Sequence, residues 1–521
     1  MILDEVAATQ QIGFPILTIL TFLPIVGAVA LWLFQKDEDL IRKSALAVAG
    51  LELFISVLLM WNFTPNSAQI QFSERADWIP AIGVGYHMGV DGINVLFIPL
   101  TAFLIFLIMV YSWDTERNLL KPYLMALLGL EGTIVGVFAS LDLILFFFFW
   151  ELMLVPSYFL IKLWGTGPNR QYAALKYVLY TLTGSVLMLV GMVLLNLNYH
   201  AAAVASHTEP LYSFDFIDLL NVPVPPEKQA LIFFLMFFGF AFKAPVFPFH
   251  TWLPTALVEG PIVMSVLLAG VKLGTFGFIR FTIPLLPEAS KDWFWLMAGL
   301  GLVAIIYGAL IALVQTDFRR LLAYSSISHL GFVMLGLFAL NFQGLQGSLL
   351  QMINLGFSTA GLFFMAGFLY NRTGSAELSA YGGLARHVPL LATFMLVLGL
   401  ASIGLPGTNG FIGEFLILLG AFRAHWALAA IGVLGVILGA AYFLWYYERA
   451  FFGPVTHEPK RPLYDLRPRE WGIAVALCVM VLWIGLYPAP FLNMINGSVQ
   501  ALADRVQQGS VVQAVKAGKH P

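Results

Sequence analysis

One cysteine, Cys478, occurs in 521 residues, inside the apolar run AVALCVMVLW. A lone thiol excludes disulfides and cysteine-held clusters within the chain; its ordinary reading is a small apolar residue facing lipid or another helix. Charge is scarce too. Asp, Glu, Lys and Arg make up 11% of the residues, against about 25% in ordinary soluble domains, too few to cover a soluble surface. The formal net charge of −2 gives no pull toward nucleic acid or an acidic substrate. No glycine-rich strand–helix turn occurs, and the lone GVG at 83–85 is no nucleotide signal. The first residues, MILDEVAATQQIGF, lack the basic segment and small-residue cleavage site of a signal peptide, so the first apolar run is expected to be retained.

What is present is hydrophobic length. The chain is 60% hydrophobic with a mean hydropathy of +0.85, which places it as an all-α polytopic membrane protein. A helix needs about 20 apolar residues to cross the hydrocarbon core. About fourteen stretches qualify: 14–34, 44–62, 92–112, 121–140, 142–164, 173–197, 229–250, 260–284, 293–315, 320–340, 347–370, 390–418, 427–452 and 470–491. The longer connections are 63–91, 198–228 and 453–469; the tail after about 492 is polar, with an amphipathic segment SVQALADRVQQ. Loop charge tests this count. With the N-terminus outside, the inner loops hold most of the Lys and Arg, among them Arg42, Lys43, Lys121, Arg319, Arg320, Arg372, Arg467 and Arg469. The outer loops hold Arg75, Lys228, Lys291 and Arg423. That positive-inside bias predicts both termini on the outer side.

Two spans read as broken. The seventh contains FAFKAPVFPFHTWLP, with Pro245, Pro248 and Pro254; the twelfth contains ASIGLPGTNGFIGEF, with Gly404, Pro406, Gly407 and Gly410. Proline removes a backbone donor, and such a break at membrane depth survives where protein or a wet cavity satisfies the freed carbonyls. Breaks five spans apart, each near a charge, point to an internal repeat of the transporter kind.

Several ionisable residues lie inside spans: Glu131 in the fourth, Glu151 in the fifth, Lys243 in the seventh, Lys272 in the eighth, His329 in the tenth and Glu414 in the twelfth. Each costs roughly 2.5–3.5 kcal/mol on insertion scales, which makes it a functional-site candidate. A lysine beside a glutamate holds its proton with an affinity set by their separation, so moving the partner away makes a switchable proton site. Histidine titrates near neutrality and suits a relay. His250, Arg170, Lys176 and Asp317 sit at span ends, where snorkelling or capping accounts for them.

The same segments carry a family resemblance. GVDGIN (89–94), SLDLILFFFFWE (140–151), YAALKYVLYT (172–181), FPFHTWLP (247–254), DFRRLLAYSSISHLGF (317–332), LPGTNGFIGEF (405–415) and YYERAFFGP (446–454) resemble the antiporter-like proton-pumping subunits of respiratory complex I. The likeness is to the M-type family (mitochondrial subunit 4, cyanobacterial and chloroplast D-type). It implies fourteen helices, with helices 1–3 in 1–120, a first inverted five-helix repeat in 121–284, a second in 285–452, and a loop, helix 14 and tail in 453–521. It also implies a proton pathway through Glu151, Lys243, Lys272, the His329 region and Glu414, with Glu131 as a further candidate. No cofactor is implied in this chain; flavin, iron–sulfur clusters and quinone would lie on other subunits. The implied partners are L-type and N-type neighbours, the lipid bilayer and protons, with no nucleic acid. The implied place is a bacterial inner membrane or a thylakoid membrane, the termini outer or lumenal.

Three departures from the family pattern stand out. AGVKLGTFG (269–277) is two residues shorter than the usual AGVLLKMGTYG, which rotates the rest of the helix by about 200° unless a bulge or unwound turn absorbs it. HTWLPTALVEGP places Thr255 and Leu257 where Asp and His are usual, with Glu259 kept; QMINLG places Leu355 where the eleventh helix usually has a histidine. Water or Asn354 would then bridge toward Glu414. The alternatives are an Mrp-type cation/proton antiporter subunit, a membrane subunit of a hydrogenase or carbon-uptake complex, and a structural scaffold.

Overall fold

The computed structural model describes residues 4–34, 37–115, 118–453 and 463–516. Among them, twelve helices are long and apolar enough to cross a membrane. In chain order, the first helices are α1 (Ile16–Phe34), α2 (Glu38–Trp61), α3 (Phe97–Thr115), α4 (Leu120–Ala139), α5 (Leu143–Leu152), α6 (Leu154–Trp164), α7 (Arg170–Ser206), α8 (Pro226–Lys243), α9 (Trp252–Glu259), α10 (Ile262–Gly270) and α11 (Leu273–Gly277). Then come α12 (Phe294–Leu313), α13 (Phe318–Leu337), α14 (Phe342–Thr373), α15 (Pro389–Ser402), α16 (Asn409–Ala424), α17 (Trp426–Tyr447), α18 (Pro468–Leu486) and α19 (Ala489–Lys516).

Hydrophobicity is arranged the opposite way from a soluble protein. The most apolar 18-residue stretch of Ile262–Leu285 is 94% buried and that of Phe342–Thr373 wholly so, whereas those of Glu38–Trp61 and Pro468–Leu486 are 28% and 33% buried. The perimeter helices show Trp, Phe and Leu outward, among them Phe54, Trp61, Trp295 and Leu486. The central α13 and α14 bury a dense set of polar groups: Ser325, Ser326, Ser328, His329, Gln346, Ser348, Gln351 and Asn354. Lipid tails drive no helix association, so packing and internal hydrogen bonds hold such a bundle.

The seventh span is broken where its prolines fall. α8 ends at Lys243, with the Ala244 amide on Phe240 O at 2.7 Å, and Pro245 has no amide to continue the ladder. The indole of Trp252 donates to the freed carbonyl of Phe242 at 2.7 Å. In the twelfth span, α15 and α16 are separated by a turn in which Gly404 is left-handed (φ 74°) and the Thr408 hydroxyl donates to Leu405 O at 2.6 Å. The fifth span also divides, at Met153 between α5 and α6.

The eighth span shows where two missing residues go. α10 ends at Gly270, Val271 and Lys272 are extended or irregular (ψ 114° and 62°), and α11 runs directly into a π-helical turn over Phe278–Thr282. An unwound pair and a π-turn both change register.

The 63–91 connection, expected only as a long loop, forms a hairpin: β2 (Ile70–Ile79) pairs antiparallel with β3 (Val84–Val90), and β1 (Glu5–Ala7) adds to β2 in parallel. The fold is therefore all-α in its membrane part only. Alternation in WI–GVGY and the left-handed Gly83 (φ 72°) account for the turn. The sheet is fastened to the bundle. Glu74 accepts from the amides of Leu17 and Thr18 at 2.7 and 2.9 Å and so caps the N-terminus of α1. His87 contacts Asp215 and, at 3.3 Å, Glu5, while Arg75 reaches Glu5 at 2.9 Å. The amphipathic tail is the helix α19, whose Ile495, Val499, Leu502 and Val506 are buried and whose Arg505 donates to Leu220 O and Pro284 O.

Candidate functional site

Lys243 is the last residue of α8, so the break leaves its side chain at an open helix end. It is 7% exposed. Its ammonium donates to the Tyr177 hydroxyl at 3.2 Å and lies 5.2 and 5.3 Å from the ring centroids of Tyr177 and Trp150. Rings at that range attract a cation by about 0.5–2 kcal/mol each. Glu151, next to Trp150 on α5, acts on Lys243 electrostatically and lies beside Ser185. The two do not close to an ion pair within 4.0 Å; an aromatic cage holds the lysine instead. Ser185 accepts from the Trp150 indole at 3.1 Å and donates to Thr181 O at 2.8 Å.

Lys243 and Lys272 face one cavity of about 30 Å³, walled by Leu130, Met153, Leu253, Val271 and Leu330 with Ser157 and Thr275. One water needs about 10–15 Å³ in this measure, so the space holds two. Lys272 reaches it from the unwound turn between α10 and α11, and its ammonium donates to Ser326 of α13 at 3.2 Å. One turn along α13 stands His329. Its Nδ1 is 3.2 Å from Glu414 Oε1, and its Nε2 meets the Ser402 hydroxyl at 3.2 Å and the Tyr442 hydroxyl at 3.4 Å. Gln351 donates to the same Glu414 oxygen at 3.3 Å.

Glycines make this approach possible. A Cβ on Gly404 would stand 2.8 Å from Glu414 Oε2, and one on Gly413 would stand 2.2 Å from Gln351 Oε1. Leu355 is buried and contributes no polar group in the histidine's place. Asn354 does not touch Glu414; it donates to Asn409 O at 2.7 Å and to Gln351 Oε1 at 3.3 Å. Gln351 rather than Asn354 makes the hydrogen bond to Glu414.

Of the six sequence candidates, five thus fall along one line: Glu151, Lys243, Lys272, His329 and Glu414. Glu131 does not join them. It is wholly buried on another face of α4, with both carboxyl oxygens free of protein partners. Sequence reading passed over Tyr177, Trp150, Ser326, Gln351 and Tyr442. Tyr177 and Ser326 stood inside quoted motifs, and Ser326 lies one helical turn before His329; Tyr442 in α17 gave no signal, being an aromatic among aromatics. Among the span-end residues, Asp317 caps α13 by accepting from the Arg320 amide at 2.8 Å, and Lys176 donates to Thr251 O at 2.8 Å. Among the described residues no group of three His, Cys, Asp or Glu is placed to hold a metal ion.

A family model described as "NADH:quinone oxidoreductase/Mrp antiporter, TM" matches residues 140–439. NADH-quinone oxidoreductase subunit M of Rickettsia prowazekii is 39% identical over 500 residues, covering 94% of this chain and 99% of that protein. Subunit M of Rhodobacter capsulatus is 40% identical over 513 residues, covering 96% and 99%. Among solved structures, a chain of respiratory complex I from Thermus thermophilus with bound NADH superposes with a TM-score of 0.84 at 34% identity, covering 94% and 99%. A chain of the Mrp complex from Dietzia shares the fold, with a TM-score of 0.82 at 20% identity. The chain belongs to the M-subunit family of NADH-quinone oxidoreductase, as an antiporter-like membrane-arm subunit of a translocase.

Proposed function

We propose that this subunit moves protons along the line Glu151–Lys243–Lys272–Ser326–His329–Glu414, coupled to quinone reduction elsewhere in the complex. The observation that carries the reading is the single cavity shared by Lys243 and Lys272, continued by contacts to Ser326 and from His329 to Glu414. Lys243 in its aromatic cage, out of ion-pair range of Glu151, corresponds to the separated state of the pair. A change at the neighbouring subunit brings Glu151 and Lys243 together or apart. On separation the Lys243 proton crosses the cavity water to Lys272, which is enclosed and held by one neutral hydroxyl. The proton passes through Ser326 and His329 to Glu414, and Glu414 opens to the outer side.

The proposed frame has fourteen crossings with both termini outside, the interrupted seventh and twelfth spans counted once each. Residues 121–284 and 285–452 form the two inverted repeats, between 1–120 and 453–521. L-type and N-type subunits flank the chain in a bacterial inner membrane. Replacing Lys243 with Ala in the intact complex should abolish pumping through this subunit while NADH oxidation continues at a reduced rate. Unchanged proton uptake per electron in a fully assembled mutant would overturn the route. The high identity to M subunits, against likeness in fold alone to the Mrp chain, favours a redox-driven complex over a free-standing antiporter.

A further inference from the structure

A second buried acid, Glu52, stands in the second apolar span and was not among the sequence candidates. Glu52 lies on α2, a helix largely turned outward, with Leu51 and Phe54 exposed beside it. Yet Glu52 itself is wholly buried, on an inward stripe with Ala45, Ala49 and Ser56. Both of its carboxyl oxygens are enclosed and lack a protein hydrogen-bond donor, as do both oxygens of Glu131. The helices bearing them pack together, and the two carboxyls act on one another electrostatically. α1, which packs on both helices, has no ionisable residue in its sequence. Among the described residues neither acid has a basic partner within 4.0 Å.

Two enclosed carboxylates without donors cost several kcal/mol each and repel one another. One proton placed between them removes a charge and makes a carboxyl–carboxylate hydrogen bond, the lowest-cost way to keep both groups there. We propose that Glu52 and Glu131 form a proton-binding carboxyl pair, beside the lysine line, that takes up and releases one proton as the lysine cavity changes charge. The reaction is –CO₂⁻ + H⁺ ⇌ –CO₂H on the pair, with water as the other proton holder. α4 is the coupling element: Leu130 and Ile134 line the lysine cavity, and Glu131 stands about 100° round the helix from Leu130, on a helix that packs against the one bearing Glu52. When the lysines gain positive charge the pair releases its proton; when they lose it, the pair takes one up. A carboxyl pair there keeps the net charge of the region steady through the cycle.

The coupling rests on the lysine route, but the pair is read separately from it. Redox-induced infrared difference spectra of the intact complex, recorded in H₂O and D₂O, should contain a carboxylic-acid carbonyl band that moves down in D₂O. Glu52→Gln and Glu131→Gln should each lose that whole band, because one proton is shared. A variant spectrum that superimposes on wild type, or a wild-type spectrum without a deuterium-sensitive carboxylic-acid band, would overturn the proposal. Should a Gln variant not assemble, Glu52→Asp and Glu131→Asp keep the acid and should shift the band. Lys243→Ala separates the two readings: pumping that persists there sinks the lysine route, whereas the band in wild type and its loss in the Gln variants judge the pair alone.

Discussion

The two broken helices present their charges in opposite ways. At the seventh, the base Lys243 is held by aromatic faces and one hydroxyl, and its acid Glu151 stands off. At the twelfth, the acid Glu414 accepts a hydrogen bond from Gln351 and lies 3.2 Å from His329 Nδ1. A cation held by quadrupoles and a neutral hydroxyl has no counter-charge fixing it in place. A carboxyl bonded by an amide beside a histidine is re-aimed only when those contacts break. On the proposed route the first site switches and the second receives.

The harshest test of that contrast removes the receiver. Glu414→Gln keeps the shape and the Gln351 contact but deletes the group that accepts a proton. Pumping per NADH oxidised should fall by on the order of tenfold or more, the scale of a lost acid–base group. Proton uptake by inverted vesicles measures it; an undiminished ratio would make the twelfth-span site passive. Next in size is Tyr177→Phe, which leaves the cage's ring and removes only the hydroxyl on Lys243. A hydrogen bond to a charged group contributes about 1.5–3 kcal/mol, so the lysine should rest closer to Glu151 and turnover should change severalfold. If Lys243 were already ion-paired in the working complex, the change would be negligible. Gln351→Ala should act more mildly, a few-fold on pumping, because His329 still holds Glu414.

Legibility in the sequence divides along a similar line, between local signals and contacts across helices. The breaks were legible because proline and left-handed glycine act locally: Pro245 and Gly404 announce themselves whatever surrounds them. The charges were legible because a Lys or Glu in an apolar run has no cheap explanation. What was hidden is pairing across helices. Nothing in FFFFWE says that Trp150 faces Lys243 rather than lipid, since both surroundings suit an indole. The Gln351 contact to Glu414 depends on α14 and α16 approaching over Gly413, a distance no spacing encodes. Glu52 carried the same local signal, a charge in an apolar run, and was passed over; what the sequence hides is its inward stripe with Ala45, Ala49 and Ser56. The hairpin at 70–90 was missed because its strands are held by tertiary ion pairs as much as by pattern.

Those ion pairs give the smallest of the expected effects, and one outside the membrane. Burial alone pulls the His87 imidazole down, but hydrogen bonds to Asp215 and Glu5 outweigh it, and the net shift is upward. Burial pushes Asp215 and Glu5 up, but their hydrogen bonds to His87 and the Arg75 charge leave both lowered. A raised histidine stabilises fully below its ordinary value of about 6.5 and loses that contribution as pH rises through the raised value. Lowered carboxylates stabilise above their ordinary values of about 4 and lose that contribution as pH falls through the lowered ones. The fastening of β1, β3 and the Asp215 segment should therefore be tightest between about pH 4.5 and 6.5, loosening first on the alkaline side. Amide hydrogen exchange at residues 70–90 of the intact complex, corrected for the intrinsic pH dependence, should show more opening at pH 8.5 than at pH 5.5. His87→Gln should flatten that difference. An equal pH response in the variant would mean that the sheet is held by backbone pairing alone, and that this face, unlike the two broken helices, carries charge without using it.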